Sequence, residues 1–599
     1  MKKEINVKQK IEEIHGSDAQ QLNVIFSNAE RVIVEAPAGC GKTTTMVSRL
    51  AYLYSIKSVP NPKKILGLTF SVNAALKIKR DIGRKLPDLF VQEKAPAVIT
   101  SAVNVTNYHG FCKGILKKYG RLVSPFLGKD INLFRAVGEE EIKKIPEIIS
   151  LLSEDELSLL YNVNMTINSG NMPDNNQVDD YIKIIEQKLF PKDFITHNCI
   201  LLITLRLFEK NLEIKKFYQE YYSIVVIDEF QDTNIVSWNL IKNIIGPKTK
   251  LLFLGDPLQR IYGFIGALPN VMECAKYEYN MTVIPLSRNY RFQNNEDMLN
   301  LDYNIRENAK TQFRPVVNEM ALVPAFWAAT QEKEVHQIVG KIIEIKMNLV
   351  NEKVAILSRS RGHNIEILEN ELKKENIDYF YGMFTDDDEQ YIDFHVMCQK
   401  IFIKEFGNRK TITNISLEKF STKIKDKYKE NDEKIIKSLI ELLDAFIKKI
   451  EMDYNELLPK DKYTFVLDVF ENRQLKQSME YIDSDVILST IHGSKGLEWD
   501  YVFVMDIERW IFPGYPICND CAFKWDVGPC CGPPENVNFN MIDNLLDELS
   551  VFYVAVTRAK KQVYLSASAS RYNRYKQKKH SVFSCFANLK GIKLIDASK

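Results

Sequence analysis

Arg31–Thr45 reads RVIVEAPAGCGKTTT. Arg31-Val32-Ile33-Val34 is strand-like, and TTTMVSRL after the turn reads as a helix. A glycine-rich phosphate loop of the form GxxxxGKT would place glycine where Ala36 stands, so the pattern here is AxxGxGKT. Gly39 and Gly41 let successive backbone N–H groups turn inward around phosphates. Lys42 is placed to reach the β- and γ-phosphates, Thr43 to ligate Mg²⁺, and Thr44 to complete the cofactor-binding turn. The helix that follows presents its N-terminus to the anion. A glycine turn before a surface helix would not require strand, loop and helix to agree.

An ATPase also needs a carboxylate at the end of a buried strand. Ser223-Ile224-Val225-Val226-Ile227-Asp228-Glu229 supplies one. Asp228 is expected to hold Mg²⁺ through water, and Glu229 to polarise the attacking water. The two segments together predict ATP hydrolysis, with ATP and Mg²⁺ as cofactors, on a RecA-like α/β sheet.

The chain has 599 residues, too many for one ordinary core, and three to four domains are expected. Hydrophobic residues make up 45% and charged residues 26%, as in a globular protein, and the net charge of +2 is uninformative about partners. The N-terminus MKKEINVKQKIEEIHG lacks the apolar run of a signal peptide, and no long apolar stretch occurs; a cytoplasmic protein without a membrane partner is expected.

Further motifs say what the nucleotide energy is used for. Asp228–Asn234 is DEFQDTN, Gly255–Ala267 is GDPLQRIYGFIGA, and Asn289-Tyr290-Arg291 follows. Near the end stand Thr490–Trp499, TIHGSKGLEW, and Tyr553–Ala559, YVAVTRA. In this order the segments closely resemble the motifs of UvrD/Rep-like superfamily 1A DNA helicases. The resemblance implies two RecA-like P-loop NTPase motor domains with helical insertion subdomains, in an α/β fold.

It also implies roles. Adenine would lie between Tyr290 and the N-terminal glutamine motif, where Gln21 in DAQQLNVIF is the better match and Gln20 its neighbour. Arg49 falls where the family keeps an arginine near the base. Gln259 would sense the γ-phosphate or its water. Arg291 and Arg558 would neutralise charge on the transferred phosphoryl group, as guanidinium groups do well, and Glu498 would contact ribose or the γ-phosphate surroundings. In the family, ATP in the cleft draws the two motor domains together and hydrolysis lets them part.

For DNA, ILGLTFSVNAA at 65–75 resembles the segment that puts Thr69, Phe70 and Asn73 on the single-strand path. Tyr108 and His109 in NYHGF would stack or hydrogen-bond. Phe264 stands where the family keeps a base-stacking tryptophan, and stacking tolerates any sequence. Arg359 in VAILSRSR and His492 complete the expected DNA contacts.

The expected domains are 1–120 with 215–290, the first motor domain; 121–214, a helical insertion; 291–385 with 480–599, the second motor domain; and 386–479, a short second insertion. Cys518, Cys521, Cys530 and Cys531 cluster between two motifs. CxxC spacing suits structural zinc, whereas adjacent cysteines rarely reach one metal together. Zinc, free thiols and a redox or iron–sulfur role all stay open.

The leading expectation is a 3′-to-5′ single-stranded DNA translocase and helicase acting at single-strand/duplex junctions. The alternative is a DNA-stimulated ATPase subunit serving a separate nuclease or repair protein, in recombination or anti-phage defence. No PD-(D/E)XK-like nuclease motif follows YVAVTRA.

Overall fold

The computed structural model describes residues 2–90, 102–349, 352–455, 457–514, 539–572 and 577–598. They form two compact units, Met1–Arg288 and Asn289–Lys599.

In the first unit the strands are β1 (Arg31–Glu35), β2 (Lys64–Thr69), β3 (Val103–Asn107), β4 (Arg135–Val137), β5 (Phe194–Thr196), β6 (Tyr222–Ile227), β7 (Lys250–Gly255) and β8 (Thr282–Pro285). Six of them make a parallel sheet in the order β3-β2-β6-β7-β1-β8. Its strands are apolar runs because both faces are covered. Successive side chains point to opposite faces, and two cores follow. Val32, Val34, Ile65, Val226 and Leu254 pack with helices Ala19–Phe26, Lys42–Ser55 and Val72–Leu89. Ile33, Leu66, Val225, Ile227 and Phe253 face helices Tyr108–Tyr119, His197–Lys210 and Ile235–Ile244. Between β3 and β6 the chain is largely helical, with β4 and β5 paired in a short parallel ribbon. That segment shares the second core through Phe134, Tyr181 and Phe190.

In the second unit the strands are β9 (Ala321–Ala328), β10 (Val354–Ser358), β11 (Tyr379–Gly382), β12 (Val486–Thr490), β13 (Trp499–Val504), β14 (Ala559–Ser568), β15 (Ser570–Tyr572), β16 (Lys578–His580) and β17 (Ile592–Asp596). Seven form a second parallel sheet, β11-β12-β10-β13-β14-β9-β17. One face carries Val354, Ile356, Leu488 and Phe503 against helices Gln331–Asn348 and His363–Lys374. Helices Glu296–Lys310 and Phe539–Val556 pack on the sheet as well. Between β11 and β12 lie helices Glu389–Phe406, Asn414–Lys427, Lys434–Asp453 and Pro459–Glu471. Phe402, Phe420, Phe446 and Phe470 form an aromatic core there. The architecture is α/β: two parallel sheets flanked by helices, each interrupted by a helical insertion, as expected of two RecA-like P-loop domains. Among the described residues no helix is long and apolar enough to cross a membrane. The cysteines at 518, 521, 530 and 531 lie outside the described residues.

Candidate functional site

The phosphate loop joins β1 to helix Lys42–Ser55. Gly39 and Gly41 have φ of 82° and 78°, the left-handed region glycine enters without strain. Gly41 caps the helix with no side-chain hydrogen bond, which leaves the N-terminal N–H groups to serve an anion. Thr43 follows Lys42 in the first turn of this helix. Lys42 Nζ lies 4.0 Å from Glu229 Oε1. Burial acts to lower the Lys42 ammonium, but Glu229, Asp256 and Asp228 outweigh it and hold it above its ordinary value. Thr44 Oγ1 accepts a hydrogen bond of 2.9 Å from Lys85 Nζ.

Asp228 and Glu229 follow β6, one strand from β7 and two from β1. Burial and the neighbouring Glu229 push Asp228 up to about 6, against the pull of Lys42. Asp228 Oδ1 is buried with no hydrogen-bond partner. An orphaned carboxylate oxygen beside the phosphate loop fits a Mg²⁺ hydration shell, since Mg²⁺ keeps several waters and takes one or two carboxylates. Thr43 and Asp228 are the residues that would hold the ion. Glu229 adopts φ 52° and ψ 42°, a left-handed conformation of the kind that concentrates at functional sites.

The conformation of Glu229 is buttressed. Gln231 Nε2 donates to Glu229 Oε2 at 2.6 Å, while Gln231 Oε1 accepts from Asp256 N at 3.1 Å. Gln259 Nε2 donates to Asp256 Oδ2 at 2.8 Å. Gln231 and Asp256 were not singled out by the sequence reading, although both stand inside its quoted motifs. A Cβ on Gly255 would sit 2.6 Å from Gln231 Oε1, so any larger residue there must displace the Gln231 amide.

The adenine-side residues differ from expectation. Gln21 is turned inward: its Nε2 donates to Cys40 O at 3.2 Å, and its Oε1 meets His15 Nδ1. His15 Nε2 lies 2.8 Å from Ser48 Oγ. Gln20, by contrast, accepts from Ser287 N and Oγ at 2.7 and 2.9 Å through its Oε1. Arg49 points away from the phosphate loop in this structure. Its Nη1 donates to the carbonyls of Val24, Ile25 and Ser27, and its Nη2 to that of Ala29. The guanidinium is therefore buried against the C-terminal end of helix Ala19–Phe26, not directed at a base, and burial lowers it to about 10.

On the expected DNA side, Phe70 stacks on Tyr262 with ring centroids 4.9 Å apart, and Tyr262 touches Phe264 at 6.3 Å. Phe264 is 66% exposed, so it is not a core residue. Thr69 is buried with an unpartnered Oγ1, and Asn73 is buried nearby on helix Val72–Leu89. Tyr108 is buried and its hydroxyl meets Thr233 Oγ1 at 3.1 Å, so its ring offers no face for stacking. His109 packs edge-on to His197, and burial, His197 and Lys113 push it down to about 3, leaving it neutral.

The second unit gathers three separated motifs. Arg291 Nη1 donates to Thr557 O at 2.6 Å, and its Nη2 is ion-paired with Glu498. Arg558 donates to Val554 O at 3.0 Å and Leu497 O at 3.3 Å. Tyr290, beside Arg291, is 36% exposed. Asn289 Oδ1 fixes this corner by accepting from Arg291 N and Phe292 N at 2.9 and 3.2 Å.

Arg359 is paired within the second unit. It makes a two-pronged ion pair with Glu548 and donates to Ile511 O at 2.8 Å, so its charge is already matched. His492 lies close by, pushed down to about 4 by burial and by Arg359. Glu548 stands 189 positions from Arg359, and no local pattern announces it.

A phosphate loop ending β1, with acidic and glutamine-bearing turns at the ends of β6 and β7, defines a P-loop nucleoside triphosphatase. Comparison with known proteins narrows the class. The UvrD/REP helicase N-terminal domain matches residues 17–280, and the UvrD-like helicase C-terminal domain matches 389–570. The chain belongs to the UvrD/Rep family of superfamily 1A DNA helicases. Among its relatives is a probable DNA helicase II homolog of Mycoplasma genitalium, 25% identical over 92% of this chain and 84% of that protein. A probable DNA helicase II homolog of Rickettsia conorii is 22% identical over 93% of both chains. The ATP-dependent DNA helicase PcrA of Staphylococcus epidermidis is 22% identical over 93% of this chain and 84% of that one.

Proposed function

We propose that the chain is an ATP-dependent 3′-to-5′ single-stranded DNA translocase that unwinds duplex DNA from single-strand/duplex junctions. One observation carries this reading. Tyr262 and Phe264, two rungs of an aromatic ladder that Phe70 extends from the turn after β2, share the single segment 255–267 with Gln259, the sensor of hydrolysis in this scheme. A shift of Gln259 would therefore reach the stacking surface through three residues of backbone.

In this scheme Lys42 and the loop N–H groups bind the phosphates, and Mg²⁺ between Thr43 and Asp228 would supply charge neutralisation. Glu229, fixed by Gln231, orients the attacking water and takes its proton. Arg291 and Arg558 stabilise charge on the phosphoryl oxygens, and Glu498 holds Arg291 until it is needed. Tyr290 offers a flat face to adenine, with Gln21 as the better-matched base-reading amide and Gln20 its neighbour; here Gln21 is bonded to Cys40 and His15, and Gln20 to Ser287. Thr69, Phe70, Asn73 and Phe264 would line the single-strand path, with His109 and His492 as neutral hydrogen-bonding groups. Residues 121–214 and 386–479 are taken as the insertion subdomains.

The test is ATP hydrolysis with and without single-stranded DNA, beside unwinding of a duplex with a 3′ tail. Stimulation with unwinding supports an autonomous helicase. Stimulation without unwinding would favour an ATPase serving a separate nuclease. No stimulation would sink the reading.

A further inference from the structure

Three carboxylates that have no part in ATP chemistry meet in the second unit, at the carboxyl edge of its sheet. Glu334 comes from the first turn of helix Gln331–Asn348, and Asp506 and Glu508 follow β13. All three are at most 1% exposed, and one oxygen from each lies within 4.8 Å of the others. Every charge in such a place needs compensation. The cation beside them in contact is Arg571, whose Nη1 is 2.9 Å from Glu508 Oε2 and 3.9 Å from Asp506 Oδ1. With all three ionised, one guanidinium leaves two negative charges; without a further cation, burial and the neighbouring carboxylates push Glu334 and Asp506 up.

Hydrogen bonds fix the orientation of each carboxylate but leave two oxygens unused. Ser566 Oγ donates to Glu334 Oε1 at 2.6 Å. Ser358 and Asn364 donate to Asp506 Oδ2. Ser568 donates to Glu508 Oε1 through both its N and Oγ, at 2.7 and 2.9 Å, and Ser581 Oγ and Arg571 Nη1 donate to Glu508 Oε2, each at 2.9 Å, so Glu508 is the most fully satisfied of the three. The remaining Glu334 Oε2 and Asp506 Oδ1 are buried and make no hydrogen bond. A buried acceptor left in this way is costly; the two sit in the same cluster, where the charge deficit is.

We propose that Glu334, Asp506 and Glu508 bind a hard divalent cation that ties helix Gln331–Asn348 to the turn after β13. An all-oxygen donor set selects Ca²⁺, Mg²⁺ or Mn²⁺ over softer metals. Two ligands on opposite sides of an ion are separated by twice the metal–oxygen distance, about 4.6–5.2 Å for Ca²⁺ and about 4.0–4.2 Å for Mg²⁺. Three oxygens all within 4.8 Å of one another fit around either ion. Two positive charges match the two left by Arg571. The site is independent of the nucleotide and of the helicase reading.

The test uses the full chain, nucleotide-free and carrying Asp228→Asn so that the phosphate-loop site contributes nothing. After chelation and desalting, Mn²⁺ binding is read by loss of the free-ion resonance signal, and thermal unfolding is followed with Ca²⁺, Mg²⁺ or Mn²⁺. The expected result is one Mn²⁺ per chain and a midpoint that rises and saturates with cation. Adding Asp506→Asn or Glu334→Gln should weaken binding at least tenfold. A flat midpoint with no bound Mn²⁺ would overturn the proposal, and would mean that Glu334 and Asp506 share a proton instead. Binding unchanged in both variants would overturn it too, by putting the ion elsewhere.

Discussion

Replacing Arg49 with Met separates two accounts of this residue. Methionine keeps most of the aliphatic length and removes every donor. Arg49 Nη1 has two hydrogens for three carbonyls, at 2.5, 3.2 and 3.3 Å, and Nη2 adds a bond of 2.9 Å. That amounts to about three effective bonds from a charged donor, each contributing about 1.5 kcal/mol. Some of the freed carbonyls lie at the end of helix Ala19–Phe26 and regain water, so the expected loss is about 3–5 kcal/mol. Pulse proteolysis across a urea titration should show the first unit opening at clearly lower urea. The KM for ATP of the surviving folded fraction should change less than about threefold. An arginine that reads adenine would behave in the opposite way. An unchanged urea midpoint with KM raised tenfold, which is about 1.4 kcal/mol of binding, would refute the structural assignment.

Three further outcomes are expected. In Gly255→Ala the new Cβ meets Gln231 Oε1 at 2.6 Å, so Gln231 must release Glu229; kcat should fall about 10²-fold with KM for ATP little altered, as steady-state kinetics would show. Phe264→Ala removes the exposed end of the aromatic ladder and should cost about 1–3 kcal/mol of single-strand affinity by fluorescence anisotropy, leaving DNA-free ATPase unchanged. Asp228 is raised to about 6 in the fold from an ordinary 3.8, so the folded state holds the extra proton between those values, and stability from this group is lost as pH rises through that window. Without Mg²⁺ and nucleotide, Asp228→Asn should therefore unfold at higher temperature than the parent at pH 7, and the difference should vanish near pH 4; a difference that is constant with pH would contradict this.

What could be read from the sequence was whatever is held by local pattern. The apolar run of β1 and the spacing of Gly39, Gly41 and Lys42 announce strand, loop and helix, because the phosphate loop is made of contiguous backbone. Asp228 and Glu229 were legible for the same reason, as the polar end of an apolar run. The partners of Arg49 were not legible, because its register on the helix after Lys42 is compatible with a nucleotide contact while the carbonyls it bonds belong to a preceding helix that a pattern does not reveal. The burial of Tyr108 was hidden for the same reason: its hydroxyl partner, Thr233, stands 125 positions away. Arg359 and Glu548, and the cluster of Glu334, Asp506 and Glu508, pair across the chain and leave no spacing to read. Phe264 was the reverse case, an aromatic that might have been core and is exposed because the turn after β7 carries it outward.

The central claim, that ATP hydrolysis here drives movement on DNA, is tested most directly by steady-state ATPase with and without single-stranded DNA, run beside unwinding of a forked duplex with a 3′ tail and with Lys42→Ala as background. The account predicts strong stimulation by single strands, strand separation from the 3′ tail only, and neither activity in Lys42→Ala. Hydrolysis that ignores DNA in the intact chain would contradict it.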